Sequence, residues 1–398
     1  MSILSKMGWR NIFRNKQRTL LTTFVIGIGL SALILQDAFM EGMFKNITTK
    51  ATETLLGHGQ IHHQRYRESL EVDDVINNPK ELFSFLDDSD SLAAYSPRII
   101  TPAMISSPKN LAPITLYGID PDKERELSRI PETLIAGEYI GEKKTLVIGS
   151  STADLLEVSE GDHVVVTVSQ SQTGELAQDL FIVGGIFHLG EEFVDGGVGF
   201  VSLAQGQTLL NIGPNIHEVA LKFKDFNKAS QKDLSFWKEA SKGDNDAQNW
   251  IELAPALRAI LNLSEYAIYI VSSILFSLVA LIITNSLFMS IYERIHEFGI
   301  LRSIGTTPLQ LFTLIMVESG SLGLLSSAIG LLIALPLLTV LQITGINYSG
   351  IDIAGLTIGE SIYPIFLWKQ ITYFPLSIVA FTLTAARISP VKAMQVKG

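Results

Sequence analysis

Residues 266–292 form 27 consecutive positions without a charge, followed at once by a charge-rich segment and then by a second long apolar run. About 20 apolar residues cross the hydrocarbon core of a membrane, and inside it a chain satisfies its backbone only as a helix or a closed barrel. The chain is therefore held to helices on both sides of 293–305, with that short polar segment at one membrane face. There, apolar Ile295, Phe298, Ile300, Leu301 and Ile304 are interleaved with Glu293, Arg294, His296, Glu297 and Arg302. A connecting loop needs no such density of apolar residues, which would form an exposed patch unless something covers them. The segment is expected to be a helix that docks a partner.

Apolar residues concentrate in 19–40, 266–292, 307–343 and 368–387, so four transmembrane helices are expected. Lys369, near the outer end of the last, can snorkel to the interface. Residues 45–265 hold 19 Lys and Arg against 33 Asp and Glu, in a chain whose net charge is −10. Basic residues gather at the other membrane edges: Arg10, Arg14, Lys16 and Arg18, then Arg294 and Arg302, then Arg387, Lys392 and Lys397. The positive-inside rule puts both termini and 293–305 in the cytoplasm and the large acidic domain outside. The expected fold class is a membrane α-helical protein with a large α+β extracytoplasmic domain, 41–265, inserted between spans one and two. Residues 1–18 read as a cytoplasmic amphipathic elbow, with Trp9, Ile12 and Phe13 on one face; 344–367 reads as an outer loop and 388–398 as a cytoplasmic tail. The first apolar run is too long for a signal peptide and is expected to stay as an anchor. With no cysteine, the outer domain cannot be a disulfide scaffold.

In the outer domain, 41–56 and 253–265 read as helical extensions of the spans, a stalk beneath the head. Strands are expected at 98–105, 114–119, 145–148, 163–168, 180–187, 198–201 and 218–223, all rich in β-branched residues. Helices are expected at 121–129, opened by Asp120, and at 150–156, 203–211 and 228–240. Gly27 and Ser31 form a small-xxx-small pair that suits close helix packing. Gly305 should end the docking helix, and Thr307, Pro308 and Gln310 should open the next one through a capping box. Glu318 is the one charge inside that span, a functional candidate equally open to shallow structural pairing.

No G-x-x-x-x-G-K-[ST] run occurs, so any ATP must be bound by another chain. His58, His62 and His63 have no partner at metal-ligand spacing. Neither a catalytic residue nor a metal site is expected, and no nucleic-acid partner.

The run ERIHEFGILRSIG, with its E-x-G-I-L-R-x-I-G core, resembles the coupling segment of the FtsX/MacB-type ABC transporter permeases. WRNIFRNKQRTLLT, residues 9–22, is similar to their elbow, and ARISPVKAMQ, residues 386–395, to their closing pattern. LYGIDPDKE and LVIGSSTADLLEVSEGDHVVV resemble the head of the lipoprotein-releasing LolC/LolE branch. The resemblance implies a permease in a bacterial inner membrane that pairs with a second permease, as homodimer or heterodimer. It also implies cytoplasmic ATPase subunits, which would bind ATP and Mg, so that this chain would carry no cofactor. Glu293, Arg294, His296, Glu297, Phe298, Gly299, Leu301, Arg302, Ile304 and Gly305 would then seat in the ATPase. Lipoprotein or another amphiphile would enter near spans one and two, where Val25, Gly27, Ser31, Leu33 and Phe276 would line the path or the dimer interface. A periplasmic carrier would receive it. An FtsX-like regulator of an extracellular hydrolase or sensor, and a MacB-like efflux permease, are the alternatives. LolC-like heads recruit the carrier through a proline-bearing hairpin; the matching stretch here, SQSQTGELAQD at 169–179, has neither proline nor aromatic residue.

Overall fold

The computed structural model describes residues 16–69, 71–141, 144–347, 352–353, 356–357 and 361–395, so residues 1–15 of the expected elbow and the last three of the tail lie outside it. Contacts divide the chain into two compact units.

The first unit is helical. Its elements are α1 (Lys16–Ala51), α2 (Pro255–Glu293), α3 (Ile295–Ser303), α4 (Pro308–Thr344) and α5 (Trp368–Gln395), with α1 and α2 also contributing residues to the second unit. Its core is written in i, i+4 rows: Ile26, Leu30 and Ile34 on α1, and Val279, Ile283, Leu287 and Ile291 on α2, packed with Leu311, Ile315, Ala334 and Ile378. Small residues set the closest approach. A Cβ on Gly27 would lie 2.8 Å from Ile329 and 3.1 Å from the backbone of Gly330, so α1 meets α4 almost backbone to backbone. Further along α1, Gln370 Nε2 donates to Asp37 Oδ2 at 2.9 Å, and Lys369 pairs with Asp37 at 3.6 Å and with Glu41. Lys369 is thus tied to α1 by an ion pair.

Among the described residues, three helices are long and apolar enough to cross a membrane: Thr19–Leu56, Pro255–Glu293 and Pro308–Thr344. The fourth expected span is a helix of 28 residues, α5, but Gln370, Thr372, Tyr373, Ser377, Thr382 and Thr384 dilute its apolar character. The described part of the expected loop 344–367 holds two short strand pairs, Ile346–Asn347 with Ser361–Ile362 and Asp352–Ile353 with Leu356–Thr357.

The second unit is the head, a mixture of helices and ten strands in one sheet. The strands are β1 (Gly59–His63), β2 (Leu92–Ser106), β3 (Leu111–Ile119), β4 (Leu134–Gly137), β5 (Thr145–Gly149), β6 (His163–Ser169), β7 (Leu176–Phe187), β8 (Val198–Ser202), β9 (Glu218–Phe223) and β10 (Asn245–Asn249). The order β2-β3-β8-β5-β7-β6 closes back on β2, forming a six-stranded ring. Closure removes the edges that would otherwise invite pairing with other chains. The 15 residues of β2 make this possible: its first half pairs with β9 and its last four residues with β6. Ile105, Leu116, Val166, Phe181 and Val183 fill the ring. Outside it, β9, β1 and β10 form a flap with its own core of Ile61, Leu86, Leu221, Phe223, Phe236 and Trp237.

The strands at 98–105, 114–119 and 218–223 form as expected, and Asp120 caps Pro121–Leu127. The helix expected over 228–240 is two helices, Phe226–Ala229 and Ser235–Ala240. Asp225 caps the first, and Ser230, which accepts a 2.9 Å hydrogen bond from Trp250 Nε1, stands at its end.

Candidate functional site

Helix α2 stops at Glu293, and α3 starts at Ile295, with Arg294 alone between them. Arg294, Glu297, Phe298 and Leu301 follow the i, i+3, i+4, i+7 rule of a single helix face, and this is the face turned inward. Phe298 is buried among Ile291, Leu311 and Ile315, and half-buried Leu301 packs against the same cluster. Arg294 secures the joint. Its Nη1 donates to both oxygens of Glu318, at 2.8 and 2.7 Å, its Nε donates to Glu297 at 3.0 Å, and its guanidinium lies 5.3 Å from the Phe298 ring. Glu318 is therefore a structural partner that clamps the start of α3 to α4, and an arginine that bridges two carboxylates, Glu318 from Nη1 and Glu297 from Nε, gives that clamp direction as well as charge.

The opposite face is open. Ile295, Ile300 and Ile304 are 48%, 49% and 78% exposed, with His296, Gly299 and Arg302 also at the surface. A Cβ at Gly299 would meet nothing, so the glycine leaves a notch in this face. The helix ends at Gly305, φ +101°, where Gly305 N–H donates to Arg302 O and Thr306 N–H to Leu301 O. These are the two bonds of a Schellman cap, which needs the left-handed conformation glycine adopts freely. Thr307 and Gln310 then close the expected capping box. Of the ten residues expected to dock, Glu293, His296, Gly299, Arg302 and Ile304 are exposed, Arg294, Glu297, Phe298 and Leu301 lie on the inward face, and exposed Gly305 makes the cap; Ile295 and Ile300, outside that set, are exposed as well.

The second expected set is also divided. Val25 is 41% exposed, beside exposed Leu21, Phe24 and Ile28. Gly27 and Ser31 serve the packing of the bundle, and Leu33 is buried. Phe276 packs edge-on to Phe381 at 5.8 Å. In the head, the hairpin between β6 and β7 is pinned at its tip: Ser171 Oγ and the Gln172 N–H both donate to Asp73, which holds that carboxyl below its ordinary value.

Sequence reasoning missed a buried ion cluster in the head. Arg98 on β2 donates to Glu124 from Nε and Nη2, at 3.0 and 2.6 Å, to Glu218 from Nη1 at 3.0 Å, and to the carbonyl of Leu55. Glu218 stands 120 residues from Arg98, and no local pattern announces the pairing.

Among the described residues, no group of three or more histidines and carboxylates could hold a metal. The head's histidines matter for acid stability instead. Burial holds His58 and His62 at about 4, below their ordinary 6.5, and lowers His217 as well. Between those values the unfolded chain binds protons that the native head does not, so this stability is full above pH 6.5 and is lost as pH falls through 4. Burial pushes Glu218 up to about 7 and also raises Glu191, with the opposite sign: their contribution is full below about pH 4.5 and is lost as pH rises, for Glu218 through 7. The two large histidine shifts, His58 and His62, outweigh the one large glutamate shift, Glu218, and leave a net loss in acid. The melting transition reported by Trp237 and Trp250 fluorescence in the whole chain is expected to fall between pH 7 and pH 5. A transition that holds or rises would contradict the balance.

The MacB-like periplasmic core domain family matches residues 19–232, and the FtsX-like permease C-terminal family matches residues 269–395. A clamped connecting helix between membrane-length helices, with a strand-rich head inserted before them, is the architecture of a transporter's membrane subunit. The chain belongs to the FtsX/MacB-type family of ABC transporter permeases. It is 20% identical over 321 residues to the lipoprotein-releasing system transmembrane protein LolC of Neisseria meningitidis, covering 78% of this chain and 75% of that one. It is 23% identical over 360 residues to LolE of Haemophilus influenzae, covering 84% and 83%. The periplasmic region of MacB from Actinobacillus actinomycetemcomitans aligns at 12% identity and a TM-score of 0.36, covering 53% of this chain and 95% of that region.

Proposed function

We propose that the chain is the permease subunit of a mechanically coupled ABC transporter in a bacterial inner membrane, with four spans, both termini and α3 in the cytoplasm, and the head in the periplasm. The observation that carries this is the exposed apolar pair Ile300 and Ile304, one turn apart on a helix clamped from behind by Arg294 and Glu318, with Ile295 exposed on another side. A helix fixed on one side and sticky on the other can take up a push without yielding. Separate ATPase subunits, which bind ATP and Mg, dock there; closure on ATP moves α3, and the stalk at 41–56 and 253–265 carries the motion to the head. A second permease completes the pair. The exposed apolar rows of α1 and α2, Val25 among them, support entry of a membrane-embedded amphiphile there, and the likeness to LolC and LolE supports lipoproteins as the cargo. The hairpin at 169–179, without proline or aromatic residue, favours delivery to a periplasmic carrier through the partner permease.

Purification of the tagged chain from its native membrane, with mass spectrometry of what accompanies it, tests this. An ABC ATPase, a second permease and lipoproteins are expected. An ATPase with a cell-wall hydrolase and no lipoprotein would replace transport by regulation, and absence of any ATPase would overturn both.

A further inference from the structure

The head contains a half-open cavity of about 630 Å³ that the reading above does not use. Its floor is one face of the sheet, with Gln60 and His62 from β1, Glu218 from β9, Ile100 from β2 and Tyr117 from β3; Leu55, Val194, Leu253, Leu257 and Ile260 supply apolar walls. A site this size suits a small organic ligand. Filled with water instead, it would hold about twenty molecules against largely apolar walls.

His62 is the informative group. It is 1% exposed, and neither ring nitrogen has a hydrogen-bond partner. The His63 amide is near enough to be felt electrostatically but is not in hydrogen-bonding geometry. Other histidines of the head are engaged. His58 accepts from Phe223 N–H, His63 from Arg65 N–H, His217 from Ile100 N–H, and His188 meets Ser150 and Asp195. Among the described residues, His62 alone of the cavity's lining has buried polar side-chain atoms left unpaired. Buried polar groups are nearly always paired, so an exception calls for a partner. Held neutral by burial, its imidazole offers one donor and one acceptor.

The charges around it cancel. Lys50 and Arg67 face Glu191 and Glu218. Arg67 is engaged by Gln248 and the Leu253 carbonyl, and Glu218 by Arg98, so neither is free to neutralise an incoming ion. We propose that this cavity binds an uncharged amphiphile, its hydrocarbon chain lying along Leu55, Val194, Leu253 and Leu257 and its hydroxyl or amide hydrogen-bonded to His62. A monoacylglycerol has this chemistry. The site does not rest on the transport reading, because binding there needs neither nucleotide nor a partner subunit.

The test uses the whole chain in phospholipid nanodiscs, without ATPase, and a monoacylglycerol carrying a photoreactive diazirine in its acyl chain. Labelling mapped by mass spectrometry is expected on peptides holding Leu55, Val194 and Leu257, in addition to the membrane helices, and unlabelled monoolein should compete for it. Ala256→Trp fills the cavity from an exposed helix position and should abolish head labelling while leaving that of the membrane helices. His62→Leu should weaken competition by monoolein about five-fold, and His62→Gln, which keeps a donor and an acceptor, should restore it. Oleate, which is charged, should compete at least tenfold less well. Head labelling that is absent, that survives Ala256→Trp, or that oleate displaces better than monoolein would overturn the proposal.

Discussion

Replacing Arg98 with leucine is expected to cost the head about 3–5 kcal/mol, because it strands two carboxylates in the interior. Arg98 and Glu124 are each 1% exposed at the side chain and Glu218 is 6% exposed. Two carboxylates sharing one guanidinium are tolerated because all three nitrogens of the arginine are engaged, with three bonds to the glutamates and one to the Leu55 carbonyl. Burial already pushes Glu218 up to about 7 with Arg98 present; without it, the group has no means of staying charged. For a unit of this size the loss lowers the melting transition by roughly 6–20 °C, read from Trp237 and Trp250 fluorescence or from protease resistance of the head in the whole chain. A shift under about 2 °C would mean that the cluster is hydrated rather than buried. The triple replacement Arg98→Met, Glu124→Leu and Glu218→Leu should recover most of the loss, since burying a matched apolar trio avoids the desolvation of three charges. Recovery would show that the cluster's contribution is specificity of packing more than net stability.

The same cluster shows what the sequence withheld. A charge-free run such as 266–292, or the Thr307, Pro308 and Gln310 start of α4, carries its cause within a few residues and was legible. So were β9 and the centre of β2, where β-branched residues crowd together. Nothing near Arg98, Glu124 or Glu218 in the sequence marks them as a unit, because what makes them one is a sheet that brings β2 beside β9. β10 reads Asn-Asp-Ala-Gln-Asn and was invisible, since an edge strand with polar residues on both faces has no hydrophobic period; only its pairing with β1 makes it a strand. Within 293–305, the apolar positions were plain but not their division, because Phe298 and Ile300 are equally apolar in sequence. The bundle decides which of them is inside.

That division sharpens the second large effect. Ile300→Asp combined with Ile304→Asp is expected to detach the ATPase subunit while leaving the membrane unit folded. Both side chains are exposed in the isolated chain, at 49% and 78%, so aspartate there costs the fold little. In the docked state each isoleucine would be buried, worth about 1.5–3 kcal/mol apiece, and each aspartate would have to be desolvated as well. A loss of 3 kcal/mol or more weakens association at least about a hundred-fold, enough to remove the ATPase from a co-purification and to stop ATP-driven turnover in nanodiscs. Phe298→Ala is the contrasting variant. It empties a buried position beside Ile291 and Leu311, so it should cost about 3–5 kcal/mol of fold stability and appear as lower yield and melting temperature. Leu301→Asp would mix the two effects, since Leu301 packs on the same buried cluster. If Ile300→Asp with Ile304→Asp retained the ATPase at wild-type yield while Phe298→Ala still destabilised the chain, α3 would be a packing element alone, and the push from the ATPase would have to enter elsewhere.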